Sequence, residues 1–116
     1  MNALPVLVVE DSFLIAAALE DALSQAGHRV LTASSVAEAE SFMLDTDFRA
    51  ALLDYMLPDG DSLALARRLH AEGCRVAVVS GADRDMLPAD PAIAAHFVKP
   101  TDGKMLVDWV GAILRQ

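Results

Sequence analysis

Five short apolar runs, separated by stretches of helical periodicity, limit what this chain can fold into more than any other feature. They are Leu4 to Val9, Arg29 to Ala33, Ala50 to Asp54, Arg75 to Val79 and His96 to Val98. Apolar runs of this length bounded by turn residues read as buried strands. Leu57-Pro58-Asp59-Gly60 supplies the turn after the third of them. The intervening stretches read as helices. From Ser12 to Ala26, apolar residues recur at Phe13, Ala16, Leu19, Leu23 and Ala26, and Gly27 follows as a stop. Ser35 opens a capping box with Glu38 for a second helix running to about Asp45. A third is expected from Ser62 to Glu72, stopped by Gly73. Thr101 or Asp102 caps a last helix with Leu106, Val110, Ile113 and Leu114 as its inner stripe. Between residues 82 and 95, Pro88 and Pro91 confine any helix to something short or irregular. Strands alternating with helices through short connections imply a parallel sheet covered on both faces.

The 116 residues form one domain without linker, repeat or low-complexity tract, and a 54% apolar composition excludes a disordered chain. Seventeen acids against nine scattered bases give a net charge of −8, which disfavours direct nucleic-acid binding and an acidic membrane surface as partner. No apolar run is long enough to span a bilayer, and the first residues lack a basic leader, so a cytoplasmic location is expected. Cys74 is the only cysteine, which excludes an internal disulfide and reads as a small buried side chain beside a strand.

The ends of the strands carry the chemistry. The first run ends in Glu10 and Asp11, the third in Asp54, the fourth in Ser80 and the fifth in Lys99, whereas the second ends in uncharged Ser34 and Ser35. In a flavodoxin-like α/β fold of order 2-1-3-4-5, the second strand lies at an edge, so all the functional ends converge on one pocket at the carboxyl edge of the sheet. Three carboxylates placed together repel one another unless a cation lies among them, and oxygen ligands suit a hard ion such as magnesium. Lys99 adds a positive charge and Ser80 a hydroxyl donor, both suited to phosphoryl oxygens. A carboxylate among these groups is arranged to attack phosphorus and form an aspartyl phosphate at Asp54.

Taken together, the acidic pair in VLVVEDS, the acid in ALLDYMLPDG, the hydroxyl in VVSGA and the lysine in FVKP resemble a response-regulator receiver domain of two-component signalling, over essentially the whole chain. The resemblance implies that Asp54 accepts a phosphoryl group from a phosphohistidine on a histidine kinase or histidine phosphotransfer protein. It also implies magnesium held by Asp11, Asp54 and the backbone carbonyl of Met56, with Glu10 acting through water. Ser80 and Lys99 would contact the phosphoryl group, and movement of Ser80 would begin a switch read by a downstream protein. In the family, that movement is coupled to an aromatic residue three positions before the lysine, where this chain has His96. Switching then runs either through His96 or through the segment 83 to 95. Thr101 also departs from the family, which commonly has an apolar residue after the Lys-Pro pair.

Two other function classes share these residues. An aspartate-nucleophile phosphatase of the haloacid-dehalogenase type would carry a second acid two residues after the nucleophile, where this chain has Met56. A non-phosphorylated adaptor would have no need of the full set of acid, hydroxyl and lysine. The expectation is therefore a switch that catalyses only its own phosphorylation and dephosphorylation, in a single receiver domain spanning residues 1 to 116 with no output domain. Met105, Trp109 and Ala112 widen the apolar face of the last helix, so a monomer or weak homodimer is expected.

Overall fold

The computed structural model describes residues 4–81 and 89–115. The five expected strands form a single parallel sheet. They are β1 (Val6–Val9), β2 (Val30–Ala33), β3 (Ala50–Asp54), β6 (Arg75–Ser80) and β7 (Ala95–Val98). Their order is β2-β1-β3-β6-β7, which is the expected 2-1-3-4-5 once two very short strands, β4 (Met56–Leu57) and β5 (Gly60–Asp61), take their own numbers. Those two pair antiparallel through the Pro58-Asp59 turn, a hairpin too short for apolar periodicity to reveal. Gly60 closes it at φ +133°, a conformation that any side chain would strain.

Side-chain alternation along the strands divides the core between the two faces. Leu7, Val9, Ala51, Leu53, Val76 and Val78 pack toward α2 (Val36–Met43) and α3 (Leu63–Ala71). Val6, Val8, Ala50, Leu52, Ala77 and Val79 pack on the other side toward α1 (Phe13–Gln25) and α4 (Gly103–Leu114). All five residues of β3 are buried, as expected of a central strand covered on both faces. Cys74 is buried just before β6, and burial pushes its thiol up to about 12.

Several element ends differ from the sequence reading. β1 starts at Val6 rather than Leu4, because Pro5 has no N–H for the ladder and the first bond is made by Val6, donating to Arg29 O at 2.8 Å. Phe13 does not face the core: it is 81% exposed and Leu14 is 79% exposed, while Leu23 is the buried residue of α1. Ala26 is likewise exposed. Ser35 caps α2 by accepting from Glu38 N, but the Glu38 carboxylate accepts from Ser34 N at 2.7 Å, one residue earlier than a capping box requires. Asp102 is the cap of α4, accepting from Lys104 N, while the Thr101 hydroxyl donates to Val98 O at 2.6 Å.

Asp59 and Asp61 act as turn and cap residues. The Asp61 carboxylate accepts from Leu63 N at the start of α3. Asp59 reaches further, its two oxygens accepting from Val36 N and Ala37 N, each at 3.0 Å, at the first turn of α2. Those bonds hold its pKa below the ordinary 3.8. Of the segment 82 to 95, residues 82–88 lie outside the described part, and residues 89–94 form no helix before β7. Among the described residues, no helix is long and apolar enough to cross a membrane.

Candidate functional site

The carboxyl edge of the sheet gathers the acids and the lysine. Carboxylate oxygens of Glu10, Asp11 and Asp54 lie within 4.8 Å of one another. Adjacent β1 and β3 place them there in register, Val9 opposite Leu53, so the next residues along, Glu10 and Asp54, emerge side by side. Glu10 and Asp54 are buried and Asp11 is exposed, giving the cluster one open side. Such an all-oxygen set fits a hard divalent cation. Met56 lies two residues past Asp54 in β4, and since its thioether is a soft ligand, its backbone carbonyl is the group that would suit a hard cation.

Lys99 projects into the same place from the end of β7. Its Nζ is 3.1 Å from Asp54 Oδ2 and 3.5 Å from Glu10 Oε2. Burial works against the ammonium, but the carboxylates of Asp54 and Glu10 outweigh it and raise its pKa above the ordinary 10.5. The Lys99 amide donates to Ser80 O at 2.7 Å, tying the lysine to the end of β6, and the Lys99–Pro100 peptide is cis.

Glu10 responds in the opposite sense to an ordinary paired acid. Burial first, and then the neighbouring Asp54 carboxylate, push its pKa from 4.5 up to about 7, against the pull of Lys99 and of the Ser12 amide, which donates to Oε1 at 3.3 Å. The unfolded chain releases this proton near pH 4.5, whereas the folded metal-free protein holds it to about 7. The contribution of Glu10 to stability is therefore full below 4.5 and is lost as pH rises through 7. In urea denaturation of the metal-free protein, wild type is expected to lose stability relative to Glu10→Gln across that window. A constant difference between the two would remove the assigned cause.

Ser80 is buried at the end of β6, and its Oγ lies 2.7 Å from His96 Nε2. Register explains the meeting. His96 pairs with Val78, and Val78 and Ser80 share one face of the sheet, so His96 is on that face too. Phe97 pairs with Val79 and packs into the α1/α4 side of the core, away from Ser80. The sequence pattern had singled out His96 by its position alone; the direct side-chain bond had no sequence signal.

A cavity of about 690 Å³ opens beside the acids, beneath α1. It is lined mainly by apolar side chains, and nothing in the strand pattern announced it.

Residues 6–110 match the family model described as "Response regulator receiver domain". The transcriptional regulatory protein CseB of Streptomyces coelicolor is 34% identical over 116 residues, covering 96% of this chain and 49% of the relative. The swarming motility regulation protein RssB of Serratia marcescens is 33% identical over 116 residues, covering 96% of this chain and 53% of its own length. The chain thus spans about half the length of these curated relatives. A crystal structure of a two-component response regulator from Clostridium difficile superimposes with a TM-score of 0.86 at 21% identity, over 98% of each chain. At that identity the superposition speaks for the fold alone.

Proposed function

Since the chain belongs to the response regulator receiver domain family, we propose that it is a phosphorylatable switch in which Asp54 takes a phosphoryl group from a phosphohistidine. The donor is a histidine kinase or a histidine phosphotransfer protein, and a downstream protein distinguishes the two states of Asp54. The observation that carries this reading is the meeting of three chain segments at one point, with Lys99 3.1 Å from Asp54 and the Glu10 and Asp11 carboxylates beside them.

A lone pair on an Asp54 carboxylate oxygen attacks phosphorus, the bond from phosphorus to the donor imidazole breaks, and the imidazole keeps the electron pair. Lys99 first holds Asp54 in place and then turns its ammonium to an oxygen of the bound phosphoryl group. Asp11, Asp54 and the Met56 carbonyl would hold magnesium, with Glu10 acting through water. When bound, the ion offsets the charge of the carboxylates and the incoming phosphoryl oxygens. The experiment is intact-mass analysis after incubation with acetyl phosphate and magnesium, with EDTA as the control. A single phosphoryl adduct that needs the metal is expected, and turnover of external phosphate esters would move the chain to the phosphatase class. The exposed Met56 side chain offers no acid for that chemistry.

His96 holds Ser80 in the unphosphorylated state. In the tautomer whose Nε2 is unprotonated, the Ser80 hydroxyl donates across the 2.7 Å contact to His96 and must give up that bond to donate to a phosphoryl oxygen, so the bond acts as a latch. A neutral side-chain hydrogen bond contributes about 1 kcal/mol, or roughly fivefold in an equilibrium. His96→Ala is accordingly expected to bind beryllofluoride, a stand-in for the phosphoryl group, roughly fivefold more tightly. Titration followed by the Ser80 amide resonance measures this, and an unchanged affinity moves the switch to the segment 83 to 95. On α4, the exposed Met105 beside half-buried Trp109 offers a surface for a weak homodimer, which sedimentation with and without beryllofluoride would detect.

A further inference from the structure

We propose that the cavity beneath α1 is a binding site for a small organic cation, an apolar body carrying one ammonium group. Its volume, about 690 Å³, is within the range of small-molecule sites, and its lining is mostly apolar. Val8, Leu52 and Val79 of the sheet form its floor, Leu106 of α4 one wall, and Ile15 and Leu19 of α1 the roof. At its mouth are Glu10, Asp54 and Lys99.

The space exists because small residues stand where larger ones would close it. Ala18 of α1, Gly81 after β6 and Gly103 at the start of α4 all line it. A methyl group placed on Gly81 or Gly103 would meet no atom within 4 Å. The lip is apolar as well as the floor: Leu14 is 79% exposed and Ile15 43% exposed, both lining the cavity. Consecutive exposed apolar residues beside a cavity mark a surface that gains by being covered.

Charge selects the head group. Glu10 and Asp54 line the mouth and the Asp11 carboxylate lies within 4.8 Å of theirs, against the ammonium of Lys99, which is already shared between Asp54 and Glu10. An anionic head would face those carboxylates with Lys99, the one cation lining the cavity among the described residues, already engaged. An ammonium head completes the charge balance while its apolar body leaves water. The same carboxylates form the candidate metal cluster, so the organic cation and a divalent metal exclude one another. Bound amine therefore opposes metal-dependent phosphorylation of Asp54. The binding itself does not depend on Asp54 being phosphorylated.

The test uses the full chain without metal or phosphodonor, so its outcome is independent of the phosphorylation experiment. n-Octylammonium, octanoate and octanol are titrated separately below their aggregation limits, following the methyl resonances of Ile15, Leu52 and Leu106. Saturable shifts at these methyls are expected with the amine, at an affinity roughly fivefold above the other two. Added magnesium should weaken the amine in competition. Ala18→Phe, checked by thermal melting, should weaken it at least tenfold by filling the roof; Gly103→Leu serves the same purpose from the α4 side. The proposal is overturned by shifts that never saturate, by octanoate binding as well as the amine, or by both filled variants binding like wild type.

Discussion

Asp54→Asn is expected to gain no phosphoryl group under conditions in which the wild type gains one. The amide has the size and shape of the carboxylate but lacks the nucleophilic charge, so the loss should be complete rather than graded. The fold should survive. Asp54 is one of three clustered carboxylates, and its removal relieves repulsion with Glu10 while leaving Lys99 a partner in Glu10 at 3.5 Å. The thermal midpoint is therefore expected to stay the same or rise. Intact-mass analysis with acetyl phosphate and magnesium reads the first effect and calorimetry the second. A retained adduct on a folded Asp54→Asn protein would place the acceptor elsewhere and remove the proposed function.

Lys99→Ala is expected to slow phosphorylation by about a hundredfold, the usual cost of deleting one preorganised donor to developing charge. It should also destabilise the metal-free protein. The Lys99 pKa is raised, so its contribution is fully present below its ordinary value of 10.5 and is lost only as pH rises through the higher folded value. At neutral pH that contribution is intact, and its loss should cost about 2 kcal/mol, typical of a charged hydrogen bond. The deletion leaves Glu10 and Asp54 facing each other without their ammonium, so Glu10 should titrate still higher than about 7. Magnesium should restore much of the stability and little of the rate, because a metal among the acids offsets their repulsion without replacing the lysine's own donor. Urea denaturation with and without the metal, beside single-turnover phosphorylation, separates the two roles. Equal losses repaired together by magnesium would make Lys99 a purely structural residue.

What the residues revealed in advance follows from how locally each feature is encoded. β3 was legible because all five of its residues are buried, and a strand covered on both faces must read as an unbroken apolar run. The gathering of Glu10, Asp54 and Lys99 was legible because strand ends in a parallel sheet share one edge, given the order of the strands. Phe13 was misplaced because helical periodicity specifies a spacing of apolar residues but not which of them the rest of the chain covers, and Phe13 is left 81% exposed. The Ser34 to Glu38 bond was misplaced by one residue for a similar reason, since spacing names a donor region rather than a single amide. The β4–β5 hairpin was missed because two-residue strands carry no period. The cavity beneath α1 was invisible because it consists of missing volume at Ala18, Gly81 and Gly103, three positions far apart in the chain. The bond between Ser80 and His96 lay between these extremes: position made the histidine conspicuous, and only the paired strands brought its ring to the serine.

The reach of Asp59 has a consequence for how the chain is made. Two amides in the first turn of α2, those of Val36 and Ala37, are satisfied by a carboxylate 23 and 22 residues downstream. As the polypeptide emerges in order during synthesis, α2 is therefore exposed with its start unfinished until β3 and the loop beyond it have appeared. The part of the chain that completes that helix is the hairpin turn five residues beyond Asp54, so the acceptor strand must be present before the helix ahead of it is whole.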